Sequence, residues 1–173
     1  MRHTIFQFPP VAFILFFSLV LVSISCHNKN AGNEGVRVPH AFPNSNWSYE
    51  EQVLDLPFTI TDTTKDYSIE FVLNYDTAAN TLEQLPVTIT LIFPDGQETY
   101  VTSLFDFTAG THKGIMPAGS GSSRDINLVA FPRKSLNQPG VYHISFYRKA
   151  GKYDNYGFNS LTLKVLPLKR ERR

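Results

Sequence analysis

The sequence predicts an all-β protein, an antiparallel β-sandwich of about seven or eight strands, preceded by an N-terminal signal peptide and a flexible tether. Three observations carry this. From Leu54 onward apolar and polar residues alternate in a series of short runs, the period of a strand with one buried face. Turn-forming residues separate those runs at short intervals. No stretch of about 12 residues holds apolar positions at helical spacing. Composition agrees, since aromatics make up 13% of the chain and charged residues only 18%, a balance that suits a packed β domain and not a disordered chain. The expected organisation is a signal over residues 1–25, a tether over 26–46, a sandwich over 47–168 and a basic tail over 169–173.

The signal comes first. Arg2 and the amino terminus form a short basic region, and the apolar stretch "VAFILFFSLVLVSI" runs from Val11 to Ile24. That length suits a signal-peptide core and falls short of the roughly 20 apolar residues a spanning helix needs. Small residues, Ser23 and Ser25, precede Cys26, the only cysteine in the chain, and the polar segment "HNKNAGNEG" follows. The arrangement resembles a bacterial lipoprotein signal, with Cys26 as the lipid attachment site. It departs from the usual pattern at Ser23, where leucine is common. Ordinary secretion with an incidental cysteine is the alternative, and a lone thiol in an exported chain speaks against it. For such a lipoprotein the resemblance implies a position facing the periplasm, because His27, Asn28, Lys29 and Asn30 include none of the acids that accompany surface export.

The tether is rich in Gly, Asn and Pro and poor in apolar residues. Leu54, Leu56, Phe58 and Ile60 then alternate with polar residues and proline, and the segment Thr61 to Asp66 breaks the pattern as a turn. Tyr67, Ile69, Phe71, Leu73 and Tyr75 mark the next strand. Val87, Ile89, Leu91 and Phe93 mark another, closed by Pro94, Asp95 and Gly96, which signal a hairpin returning through Glu98 to Leu104. "LFDF" at Leu104 to Phe107 either continues that strand or forms a short edge. A glycine-rich loop, Gly110 to Gly121, precedes Ile126, Leu128 and Ala130. Tyr142, Ile144 and Phe146 and then Leu161, Leu163 and Val165 complete the set.

Candidate chemistry is sparse. The net charge of +1 gives no electrostatic case for nucleic acid as a partner. Of the histidines, His3 falls in the signal, His27 and His40 in the tether, and His112 and His143 in the domain, and no pair has metal-ligand spacing on one element, so no metal is expected. "GSGSS" lacks the lysine of a phosphate-binding loop, and Ser120, Ser122 and Ser123 lack a nucleophile elbow. Neither catalysis nor a cofactor is expected. Asp62, Asp66 and Asp76 fit turn chemistry. Trp47, Tyr49, Tyr153 and Tyr156 lie outside the clear strands, where they either stack on a sugar or partner or, for Trp47, close one end of the sandwich. "DTT" at Asp62 to Thr64 and "DTA" at Asp76 to Ala78 match a short O-glycosylation pattern, with Thr63 and Thr77 as acceptors, or are simple turns. The glycine loop is either a partner surface or a plain linker. Lys169, Arg170, Arg172 and Arg173 meet anionic head groups or only water.

The order of these motifs resembles the gliding-motility lipoprotein H (GldH) family of the Bacteroidetes. The resemblance rests on Cys26, Trp47, "FTITDTTKDYSIEFVLNY" at Phe58 to Tyr75 and "TLIFPDGQ" at Thr90 to Gln97. The glycine-rich loop, "QPGVYHISFYRKA" at Gln138 to Ala150 and "NYGFNSLTLKV" at Asn155 to Val165 follow in register. The chain departs from the family at Leu73, Asn74 and Tyr75, where arginine is frequent, and at Tyr147, where methionine precedes the arginine. The resemblance implies a non-enzymatic envelope lipoprotein of the motility and protein-secretion apparatus. Its partners would be the membrane, through the lipid, and other envelope lipoproteins or a membrane protein complex. A glycan-binding envelope lipoprotein is the second reading.

Overall fold

The structure is a computed structural model, and it describes residues 35–108, 122–149 and 153–169. Among them run ten strands: β1 Val36–Ala41, β2 Asn46–Trp47, β3 Val53–Ile60, β4 Asp66–Asp76, β5 Gln84–Ile92, β6 Glu98–Asp106, β7 Ser123–Ser135, β8 Gly140–Arg148, β9 Asn155–Tyr156 and β10 Phe158–Leu168. They form two four-stranded antiparallel sheets, β1-β10-β4-β7 and β3-β8-β5-β6, with β2 and β9 paired as a short ribbon. The protein is therefore an all-β antiparallel sandwich.

The inner faces follow from the alternation. Leu54, Leu56, Phe58 and Ile60 of β3 are buried, as are Tyr142, Ile144 and Phe146 of β8 and Leu85, Val87, Ile89 and Leu91 of β5. Ile69, Phe71 and Leu73 of β4 face them with Leu161, Leu163 and Val165 of β10. Register places like with like. Leu56 sits beside Ile144 and Ile144 beside Leu91 in one sheet, while Leu163 sits beside Phe71 in the other. The rings of Phe71 and Phe146, 4.8 Å apart, join the sheets through the core. Each such side chain, fully buried, contributes about 1.5–3 kcal/mol over its exposed state.

Two expectations are corrected and one left open is resolved. Ten strands replace the seven or eight expected, because β2 and β9 are two residues each and carry no readable period. Residues 36–41, assigned to the tether, form β1 along the open edge of β10. Its signal is weak because only Val36 and Val38 pack on the core, both half-buried, and because Pro39 interrupts it, as an edge strand tolerates. β6 continues through Leu104 to Asp106 and so takes in most of "LFDF".

The hairpin between β5 and β6 forms as its turn residues predict. Gly96 adopts φ +82° and donates its N–H to the Phe93 carbonyl at 2.9 Å, while the Gln97 N–H bonds Asp95 Oδ1 at 3.0 Å. This turn lies at one end of the sandwich with the 61–65 turn, residues 136–139, Gly35 and Leu168, since Val36 pairs with Val165, Asp66 with Ser135 and Ile60 with Gly140. The connections 77–83, 42–52 and 153–157 gather at the opposite end.

Candidate functional site

At that opposite end the β4–β5 connection faces Lys149 and residues 153–156 across a cleft of about 460 Å³. One wall is the turn after β4. Asp76 builds it, accepting from Ala78 N at 2.8 Å through Oδ1 and from Asn80 N at 2.9 Å through its carbonyl. Asn80 Oδ1 in turn accepts from Leu82 N at 3.0 Å. Side chains that bond their own backbone two residues on set a tight turn without sheet partners.

The other wall is held from below. Asp154 accepts from Tyr49 N at 2.7 Å and from Asn46 Nδ2 at 3.2 Å, so both oxygens are engaged. Asn46 pairs with Tyr156 and Trp47 with Asn155 in the short ribbon. The chain reaches that ribbon through Asn44 and Ser45, both at positive φ; Ser45 Oγ donates to Asn159 Oδ1 at 2.7 Å, and its carbonyl accepts from Gly157 N.

Arg148, at the end of β8, is fully buried. Its Nη2 donates to the Ser48 carbonyl at 2.8 Å, its Nη1 reaches the Tyr153 carbonyl at 3.5 Å, and its guanidinium lies 5.3 Å from the centre of the Trp47 ring. Burial pulls its pKa below the ordinary value, against the opposing pull of Asp154 and Glu51. Gly157 makes the junction. It adopts φ +85°, and a Cβ there would stand 2.6 Å from Asn80 N and 2.9 Å from Ala79 C. Only glycine lets the two walls meet this closely.

Two aromatic rings stand over the cleft. Tyr153 is 80% exposed and Tyr156 62%, in a fold that buries its lone tryptophan completely. Asn80, Gln84 and Asn155 supply amides to the lining, and Lys149 stands with Asp154 as the charged pair. A smaller hollow of about 280 Å³ adjoins it across Asn80, Thr81 and Leu82, with Phe107 and Arg124 on its far side.

The expected site residues fall apart in space. Cys26 and the loop Gly110 to Gly121 lie outside the described residues. Trp47 is buried, stacked on Phe42 with ring centres 4.5 Å apart, and donates Nε1 to the Glu51 carbonyl at 2.8 Å, so it closes the sandwich and offers no ring to a ligand. Tyr49 is 42% exposed and is not among the cleft residues. Thr63 and Thr77 sit at opposite ends, and Thr77 Oγ1 donates to the Ser122 carbonyl at 3.0 Å. His40 approaches Glu51 and His143 approaches Asp55; among the described residues no three His, Cys, Asp or Glu side chains gather as metal ligands. The aromatic signal identified Tyr153 and Tyr156. It did not identify Arg148, Asp154 or Gly157, whose roles depend on contacts with residues distant in the chain.

Four aspartates lie below their ordinary value of 3.8: Asp62 at about 2 through the Thr64 hydroxyl and Lys65, Asp76 through Ala78 N, Asp95 through Gln138 and Asp154 through Tyr49 N. Their folded pKa values are depressed, so the unfolded chain binds more protons over this range. The stability they contribute is full above about pH 4 and is lost as pH falls through the folded values. Thermal melts between pH 6 and 2 should show this decline. Asp154→Asn should flatten part of it, and an unchanged profile in that variant would remove Asp154 from the account.

The fold and this end together define a class: an all-β antiparallel sandwich presenting a preformed cleft with exposed aromatics. No described protein family and no curated protein matches the chain. Among solved structures it is similar to CBM28, a carbohydrate-binding module specific for non-crystalline cellulose, at 12% identity over 78% of this chain and 74% of that one, with a TM-score of 0.40. It is also similar to a CBM4 structure, at 12% identity, 67% and 61% coverage and a TM-score of 0.33. The VP2 subviral particle of infectious bursal disease virus gives 18% identity, 78% and 30% coverage and a TM-score of 0.34. The chain thus spans less than two thirds of the CBM4 chain and under a third of VP2. The sandwich assignment stands on the strands themselves, and the ligands of those proteins remain theirs.

Proposed function

We propose that the chain is a non-catalytic binding module of the bacterial cell envelope, similar to gliding-motility lipoprotein H, anchored by a lipid on Cys26 and facing the periplasm. One observation carries the reading. The segments Gln138 to Ala150 and Asn155 to Val165, which bear the family resemblance, meet at the cleft, where Lys149, Asn155 and Tyr156 line its surface and the buried Arg148 and Gly157 support it from beneath. The chemistry of that surface suits holding a partner. Its amides do not titrate, and its one carboxylate is held by Tyr49 N and Asn46 Nδ2.

The test is recovery of partners from detergent-solubilised membranes of the native host. Tagged full-length protein should bring down components of a motility or protein-secretion complex that an unrelated lipid-anchored control does not. Identical recoveries from the two would end the motility reading.

A further inference from the structure

The geometry points to a neutral saccharide as the ligand of the end cleft, with Tyr153 and Tyr156 as stacking platforms and Asn80, Gln84 and Asn155 as hydroxyl partners. This rests on the chain being a binding module and not on which apparatus it serves. Size is the first argument. A cleft of about 460 Å³ falls within the ~300–1,000 Å³ of small-ligand sites.

The lining narrows the chemistry. Tyr153 and Tyr156 are exposed at 80% and 62%, yet their backbones are fixed by Arg148, by the ribbon with Asn46 and by the Asp154 bonds. A rigid, amphipathic ring offers large contact area at small entropic cost, and a sugar's C–H face is a flat apolar surface that fits it. Amides both donate and accept, which matches hydroxyls that do the same. Asn80 Oδ1 is occupied by Leu82 N, leaving Nδ2 to donate; Asn155 Nδ2 reaches the Tyr153 carbonyl at 3.3 Å, leaving Oδ1 to accept.

Charge and polarity exclude the competitors. Lys149 and Asp154 give the lining one charge of each sign, so it carries no net charge that would select an anion or a cation. A purely apolar ligand would strip water from the three amides and leave them unpaired, at a cost of about 1–3 kcal/mol each. The walls are preformed, bonded through Asp76, Asp154 and Gly157, so binding does not have to order them.

The experiment is isothermal titration of detergent-solubilised full-length protein with neutral hexasaccharides of glucose, mannose, xylose and N-acetylglucosamine, and with polygalacturonate and heparin as charged probes. At least one neutral hexasaccharide should bind. The double variant Tyr153→Ala/Tyr156→Ala should weaken that binding at least about tenfold with an unchanged thermal melt, because both rings are exposed. Tyr100→Ala, an equally exposed ring on β6 and outside the cleft, should leave it unchanged. Failure of every neutral probe, preference for the charged ones, or binding indifferent to the double variant would each overturn the assignment. Partner recovery from membranes that persists while no saccharide binds removes the saccharide and leaves the binding module standing.

Discussion

Replacing Trp47 by alanine is expected to lower the stability of the domain by about 3–5 kcal/mol, the range for deleting a fully buried large aromatic. The side chain has no exposed surface and touches both halves of the fold, with Phe146 at 5.8 Å and Phe158 at 6.0 Å between ring centres in addition to Phe42. Alanine would open a cavity, orphan the Glu51 carbonyl and remove the ring under Arg148. The thermal midpoint should fall on the order of 10–20 °C. Trp47→Phe, which keeps most of the volume and loses the N–H, should cost distinctly less. Equal losses in the two variants would mean that the hydrogen bond, and not the packing, dominates.

The second large effect is in location. Cys26→Ser should abolish acylation and move most of the protein from the membrane fraction to the soluble one, because stable anchoring needs more than one hydrophobic signal and lipidation supplies several chains. Intact-mass measurement of protein purified from the native host reads the same modification directly. It also reads any sugar on Thr63 or Thr77, both of which we propose as acceptors. A serine variant that partitions like the wild type would rule out the lipid anchor, and a mass accounted for by acyl chains alone would rule out the sugars.

The long strands were legible because each buries one face, so β3, β4, β5, β8 and β10 carry the period-two pattern over several residues. β1 was not, because an edge strand that packs two half-buried valines has little apolar signal to show. β2 and β9 are shorter than any period. The candidate site was legible only in its aromatics. Tyr153, Tyr156 and Trp47 gave the same signal, and burial separated them: Arg148 and Phe42 pack against the Trp47 ring, while Tyr153 and Tyr156 stay exposed. The turn wall was readable as Asp76 and Asn80, residues that favour turns, but not as one side of a cleft. What joins the sides is Gly157 against Asn80, a contact between residues distant in sequence that no local pattern encodes.

The position of β1 bears on what a lipid anchor would do mechanically. The chain enters the sandwich at Gly35 and Val36, the end opposite the cleft. Eight residues separate Cys26 from Gly35, and eight residues at full extension span at most about 30 Å. From there β4, eleven residues long, runs the height of the domain, about 35 Å of strand. Fastened at Cys26, as we propose, the molecule would work like a short-handled probe. Its tyrosines would then lie at the end of the sandwich opposite the point where the chain enters it, a placement that suits a target other than the lipids beside the anchor.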